Sequence, residues 1–483
     1  MSATGFIDFL RKTPTQFHVV KTCIQQLQAA GFTRLSEKEV WDDKVQPNGR
    51  YFFTRNETSL FAFCVGKEFQ KGDGFAIVAA HTDSPSLKLK PISKQESKGH
   101  LMLGVEMYGG GKFYTWADRD LSLAGRLICE KEGRIETKIF DLHKALCFIP
   151  SLAIHLSDEK ERKGDRVEFN KETQLLPIFG LGSLDEKESE VDIYNRHPKE
   201  LVDLICKEAG VSAESVLDMD CYLYDPTPAT IGGIHDEFIF SGKIDNLSMT
   251  YCGLHGFLQS LEQPVADDHM VRVLALFDHE EIGSASLAGA ESTSLRTIIS
   301  QLSGESNVSQ AIRKSFLLSY DVSHAFNPEY SDKTESNHRC ILNKGVVMSF
   351  AASQNMATSA PSAAVMRYLC KKNRLDLQSS VKKQDMREGS TVGPRISTQL
   401  GVLTADCGIP QLAMHSIREM CGTKDIETGV KIAEAFYREW GTIEKNMKLG
   451  EEFWIVCFHT FAIPFFGGFL SAIDQVNNSV PFV

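Results

Sequence analysis

Apolar residues recur at helical spacing near the N-terminus. Phe17, Val20, Ile24 and Leu27 line one face of residues 16–30, and Gly31 follows. That spacing predicts an amphipathic helix ended by a glycine. The period then changes: residues 59–65 and 75–80 are short apolar runs that predict strands. Past Pro91 the chain breaks into short strand-like pieces and turns, among them YGGGKFYTW and LYDPTPATIGG. From Asp236 helix and strand alternate again. Leu247, Tyr251, Leu254, Leu258 and Leu261 predict a helix, and residues 363–370 and 431–440 predict two more. Val271–Phe277 reads as a strand of a parallel sheet buried on both faces, and residues 315–320 as another strand. No internal repeat is evident. The pattern describes one α/β domain, residues 1–91 plus 236–450, interrupted by an inserted domain of mostly β character, residues 92–235.

The ends of the predicted strands carry the chemistry. The run at 75–80 meets His81-Thr82-Asp83, and Val271–Phe277 meets Asp278-His279-Glu280-Glu281. The run at 315–320 meets Asp321-Val322-Ser323-His324; Asp245 opens the Leu247 helix, and His415 follows the apolar IPQLAM. In an extended chain His81 and Asp83 point to the same side, so one can bind while the other orients it. Functional groups gather at the carboxyl ends of strands in open α/β sheets. Carboxylates brought together repel unless they hold protons or a cation. A mixed His/Asp/Glu set suits zinc, manganese or cobalt rather than calcium. It is too large for one tetrahedral ion. Two ions would have three of their four charges offset by Asp245, Glu281 and Asp321, and a hydroxide would offset the fourth. Such a pair can hold the hydroxide and polarise a carbonyl. Glu281 would then bind metal while Glu280 takes a proton from the water. The plain alternative for each acidic pair is a solvated turn, and for a single histidine such as His155 or His324 a structural role.

Composition adds exclusions. The 483 residues are 42% hydrophobic and 24% charged, as in ordinary globular proteins. A net charge of −11 with no long basic run argues against a nucleic-acid surface. The 12 cysteines form no CxxC pair, and reduced thiols in the cytosol are the simplest reading. The N-terminus lacks the apolar core of a signal peptide. Residues 454–473 are apolar and about long enough to span a bilayer, but His459, Pro464, Gly467 and Gly468 interrupt them. A membrane anchor is the lesser reading there. HEEIG at 279–283 is not HExxH, and YGGGKF lacks the Lys-Ser/Thr ending of a phosphate loop, so its glycines read as a tight turn.

Together these residues resemble the M18 family of dinuclear zinc aminopeptidases, and within it the aspartyl aminopeptidases. The matching stretches include VAAHTDSP, LAIHL, GGIHDEFIFSGKIDNL, EEIGS, SYDVSHAFNPEY, NHRCILNKG, STVGPRIS and PQLAMHSIREM. The resemblance implies an α/β fold of the zinc exopeptidase type, a mixed sheet flanked by helices, with residues 92–235 as a dimerisation domain. It implies two zinc ions per subunit, one site exchangeable with manganese or cobalt. His81 and Asp321 would bind one ion and Glu281 and His415 the other, with Asp245 bridging through a cis bond to Asn246. Asp83 would orient His81, and Glu280 would be the general base. His155 would reach a neighbouring subunit's active site, and His324 would hold the substrate, a peptide. A cytoplasmic homo-oligomer of dimers, up to a dodecamer, is implied too. Two positions depart from the aspartyl pattern: Ser349 stands where a lysine is expected and Met356 where a tyrosine is expected. Lys344 or Arg387 would be the substitute cations. A preference for neutral N-terminal residues is therefore the alternative specificity, and a metal-stabilised scaffold or cargo protein the alternative of another class.

Overall fold

The computed structural model describes residues 3–157, 169–184, 188–265, 268–387 and 389–448. The elements below lie in the compact unit that ends at Ile443, the last helix running a few residues past it. Their frame is a mixed nine-stranded sheet in the order Thr33–Arg34, Arg50–Arg55, Ser59–Cys64, Val271–Phe277, Phe75–His81, Phe316–Tyr320, Leu403–Gly408, Val346–Phe350, Leu377–Val381. The four strands from Val271–Phe277 to Leu403–Gly408 are mutually parallel. Val271–Phe277 is antiparallel to Ser59–Cys64, so the parallel surroundings expected for it hold on one side only. Every residue of Phe75–His81 and Val271–Phe277 is buried, which explains why both read as apolar runs rather than alternations. Arg272 is the exception in chemistry, held by Asp268 at 2.8 Å.

Aromatic packing fixes this sheet. Trp41 lies 5.5 Å from Phe53, Phe53 lies 5.0 Å from Phe61, and Phe61 meets Phe277 edge-on at 5.2 Å. The predicted helices form at Gln16–Ala29, Ile244–Gln259, Ala360–Asn373 and Thr423–Asn446. Phe17, Val20 and Leu27 are buried on the first of them, and Ile24 half-buried. Ile244–Gln259 and Thr423–Asn446 approach very closely: a Cβ on Gly256 would sit 2.5 Å from that of Ala433, so a larger residue there would force the helices apart.

A seven-stranded antiparallel sheet lies between Ser86 and Tyr224. Val216–Tyr224 pairs with both Ser86–Ser97 and Asp120–Lys131, which closes six of the strands into a ring. Leu87, Leu103, Leu121, Leu123 and Leu127 fill its core, and the helix Lys199–Ala209 packs Leu201, Val202 and Ile205 into it. Pro91 lies within Ser86–Ser97, where the register shifts between Leu89 and Lys94. A third, five-stranded sheet runs Thr230–Gly232, Phe238–Ser241, Glu419–Gly422, Pro410–Leu412, Ser323–His324.

The eleven described cysteines are buried free thiols. Among the described residues no helix is long and apolar enough to cross a membrane. The apolar stretch 454–473 lies outside the described residues.

Candidate metal centre and cleft

Parallel strands release their ends on one edge of the large sheet. Phe75–His81 ends in His81; Phe316–Tyr320 is followed by Asp321; Val271–Phe277 is followed by a turn that carries Glu280 and Glu281. The small sheet supplies the others. Asp245 lies four residues past Phe238–Ser241, and His415 occupies the turn between Pro410–Leu412 and Glu419–Gly422, where Ala413 and His415 adopt φ of 59° and 64°. The Asp245–Asn246 bond is cis.

These residues, remote in sequence, converge. Asp245 Oδ1 lies 3.4 Å from His81 Nε2, and its Oδ2 lies 3.3 Å from His415 Nε2. His81 Nε2 is also 3.6 Å from Asp321 Oδ1, and His415 Nε2 is 3.3 Å from Glu281 Oε2. Three donor trios result, each within 4.8 Å: His81–Asp245–Asp321 and Asp245–Glu281–His415, which share Asp245, and His81–Glu280–Glu281. Glu281 Oε1 is buried without a hydrogen-bond partner. Nitrogen and carboxylate donors at this spacing, with one buried oxygen unpaired, fit a pair of zinc-type cations.

The electrostatics point the same way. Burial, then the Asp245 carboxylate, push Glu281 well above the usual carboxylate range. Burial and Asp245 also lift Asp321 to about 6 against the pull of His81. Burial would raise Asp245 itself, but hydrogen bonds from His415 and His81 hold it low. Glu280 is pushed up to about 8 by burial and then by the Asp321, Asp83 and Asp245 carboxylates, against the pull of His81. Its Oε2 lies 3.9 Å from His81 Nε2, and with His81 and Glu281 it forms the third trio, the one without Asp245.

Asp83 anchors this edge. Its Oδ1 faces His81 Nδ1 at 3.2 Å and accepts the Glu280 N–H at 3.2 Å. Its Oδ2 accepts the Glu281 N–H at 3.1 Å and the Tyr108 hydroxyl at 2.8 Å. One buried carboxylate thus orients a ring and both glutamates.

A cavity of about 710 Å³ opens in front of these groups. Glu280, Glu281, Asp321, Asp245 and His415 line it, as do His324, Ser349 and Met356. Ser349 Oγ is 3.3 Å from Ser323 Oγ. Lys382, Lys383 and Arg387 also line it, whereas Lys344 is exposed and does not. Of the two substitute cations expected from sequence, only Arg387 therefore faces the cleft. His155 is exposed on a turn and does not line this cavity either.

Several contributors escaped sequence reading. Tyr108 donates to the Asp83 carboxylate and Glu419 accepts from the Asp245 and His415 N–H groups; both lie in quoted stretches, YGGGKF and PQLAMHSIREM, but nothing in those stretches assigns them a role. The glycines of YGGG do more than turn the chain. A Cβ on Gly109, which has φ of 79°, would lie 3.1 Å from Glu281 Cβ, and the Gly110 carbonyl faces His415 Nδ1 at 3.3 Å. Lys382 follows Leu377–Val381, whose Ser380 pairs with Ser349, so it reaches the cleft from the adjacent strand.

Comparison with known proteins gives a consistent result. The sequence model of the family described as aminopeptidase I zinc metalloprotease (M18) matches residues 9–437. Aspartyl aminopeptidase 1 of Schizosaccharomyces pombe is 40% identical over 462 residues, covering 93% of this chain and 97% of the relative. Aspartyl aminopeptidase of Dictyostelium discoideum is 39% identical over 474 residues, covering 92% and 97%. Among solved structures, one from the Ape4 and Nbr1 complex superposes with a TM-score of 0.89 at 39% identity, covering 93% of this chain and 88% of that one. A chain of the S. cerevisiae mApe1 dodecamer superposes with a TM-score of 0.81 at 30% identity, covering 93% and 98%.

Proposed function

The chain belongs to the M18 family of zinc metallo-aminopeptidases, and from that premise we propose how its residues divide the removal of a peptide's N-terminal residue. Two zinc ions per subunit would be held by His81 and Asp321 on one side and by Glu281 and His415 on the other, with Asp245 offering an oxygen to each side; one position would accept manganese or cobalt instead. The supporting observation is the pair of donor trios that share Asp245. When bound, such a pair lowers the pKa of water and polarises the peptide carbonyl. Glu280 takes the proton from the attacking water and returns it to the leaving amine, a task suited to a carboxyl whose pKa is lifted to about 8. Asp83 holds His81 in the tautomer that presents Nε2 to the ion. The products are the free N-terminal amino acid and the peptide one residue shorter.

Acidic N-terminal residues are the favoured substrates. The support is the naming of the relatives and the cluster of Lys382, Lys383 and Arg387 on the cleft wall. Lys382 and Arg387, both on the cleft wall, are the cations assigned to a substrate carboxylate. A second reading, neutral preference, is favoured by Ser349 and Met356 lining the same cavity. His324 contributes to the substrate wall.

Residues 92–235 act as a dimerisation domain through which His155 enters the partner subunit's cleft. Leu152, Ile154 and Leu156 around His155 are 57%, 57% and 73% exposed, as an interface segment seen without its partner would be. Dimers build a dodecamer of the kind named for the S. cerevisiae relative, in the cytoplasm. The deciding experiment compares hydrolysis of Asp-, Glu-, Leu- and Ala-anilides by the purified protein, with and without chelator. Turnover lost on chelation, with Asp and Glu fastest, is the expected result; a clear Leu preference overturns the acidic assignment, and chelator-resistant turnover the metal one.

A further inference from the structure

Asp245 and His415 arrive from different loops of the small sheet, yet their positions are tied by one side chain. Glu419 lies on Glu419–Gly422, is 4% exposed, and pairs through its backbone with Ser241. Its Oε2 accepts the Asp245 N–H at 3.1 Å, and its Oε1 accepts the His415 N–H at 2.9 Å. The Gln411 side-chain amide approaches Oε1 at 3.4 Å. Both oxygens therefore face N–H donors, which the carboxylate form satisfies. The two amides belong to the residue shared by two of the donor trios and to a terminal histidine of one of those two.

We propose that Glu419 is a positioning residue of the metal centre: it clamps the backbones of Asp245 and His415 at a fixed separation, so that the shared carboxylate and the histidine meet one ion. The proposal rests on the zinc reading above. No ion touches Glu419 in it, and Glu419 acts only through the two ligands. Gln has the same shape but a single acceptor oxygen, so Glu419→Gln leaves one buried N–H facing an NH2 group. Asp keeps the charge, but its shorter stem withdraws from both amides.

The test measures zinc affinity by chelator competition on folded, assembled wild type, Glu419→Gln and Glu419→Asp. The expected result is a loss of roughly 10–100-fold in both variants, the range found when groups that orient metal ligands are removed. A residue of purely structural importance would lower the unfolding temperature and leave zinc affinity of the folded fraction unchanged, so affinity within about twofold of wild type overturns the proposal. A second measurement needs no variant. In metal-free wild type, hydrogen exchange at the Asp245 and His415 amides is expected to be slow, although His415 sits on a half-exposed turn. Prompt exchange there overturns the clamp. A wild type that takes up no zinc overturns the zinc reading instead, and the exchange result still judges Glu419.

Discussion

Asp83→Asn isolates one carboxylate without changing its size. Asp83 is 1% exposed; its two carboxylate oxygens accept from the Glu280 and Glu281 N–H groups and the Tyr108 hydroxyl and face His81 Nδ1, which also lies 3.1 Å from the Asp83 main-chain carbonyl. The amide keeps one oxygen. If that oxygen stays at the Oδ1 position, His81 Nδ1 and the Glu280 N–H keep an acceptor, the Tyr108 hydroxyl can rotate to accept from the new NH2, and only the Glu281 N–H is orphaned. If the amide is reversed, the Glu280 N–H loses its acceptor and the new NH2 group crowds His81 Nδ1–H, which is left with the Asp83 main-chain carbonyl alone. The first arrangement is therefore the cheaper. Leaving one buried N–H unpaired costs about 1–3 kcal/mol, and turning the charge-assisted bond to His81 into a neutral one costs about 1 kcal/mol more. The sum, about 2–4 kcal/mol, falls partly on folding and partly on the metal, because His81 and Glu281 are both members of the donor trios. At about 1.4 kcal/mol per decade, zinc affinity should drop by roughly 10- to 100-fold. Competition against a chromogenic chelator reads the affinity, and urea unfolding of the metal-free protein reads the rest. A variant with wild-type zinc affinity and wild-type unfolding midpoint would refute the accounting, since no arrangement of an amide satisfies both glutamate N–H groups and keeps the charge that faces His81.

Two further predictions use the same site. Glu280→Gln should lower kcat by about 10²- to 10⁴-fold, or about 3–5 kcal/mol, while the zinc content per chain stays unchanged; turnover near wild type would remove Glu280 from the role of base. Zinc uptake should release protons. With no ion present His81, Glu281 and Asp321 all have raised pKa values, Asp321 at about 6, so binding displaces protons and affinity should climb as pH rises from about 5.5 to 8; calorimetry at pH 7 in buffers of different ionisation enthalpy that finds no release would sink the claim.

The sequence exposed whatever depends on local period or on a strand's final residue. Runs such as Val271–Phe277 are apolar because both faces are covered, and the switch to Asp-His-Glu-Glu marks where the cover ends. Four such switches mark His81, Glu280 with Glu281, Asp321 and His415, which the fold brings to one place. The strands between Ser86 and Tyr224 are legible as β, but not their closed ring, because closure depends on Val216–Tyr224 pairing with strands some 90 and 130 residues earlier in the chain. Pro91 lies inside a strand at a register shift, a place where a missing N–H does little harm. Glu419 and Tyr108 stayed hidden for a different reason. Each acts on a neighbour's backbone or on another carboxylate, and such contacts leave no spacing pattern. The same holds for Lys382, whose relevance comes from lying on the strand beside Ser349 rather than near it in sequence.

The geometry also explains why the donors divide as they do between two sheets. His81, Asp321, Glu280 and Glu281 follow strands of the large sheet, whose register is locked by an aromatic core including Phe61 and Phe277. Asp245 and His415 hang on the small sheet, whose strands are short and whose turn at His415 is half-exposed. Asp245 offers one oxygen to His81 and the other to His415, so it measures the distance between the sheets. A shift of about 1 Å between them would detach one oxygen, and misplacements of that size cost about 100-fold in rate in well-ordered sites. The small sheet therefore has to be held to the large one at the site itself. Ser84 does so from the large-sheet side by donating to the Asp245 carbonyl at 2.7 Å, and Asn246 does so by donating to the Tyr320 carbonyl at 2.8 Å. With these two bonds outside and Glu419 behind, the residue shared by two trios is fixed from three directions before any ion arrives.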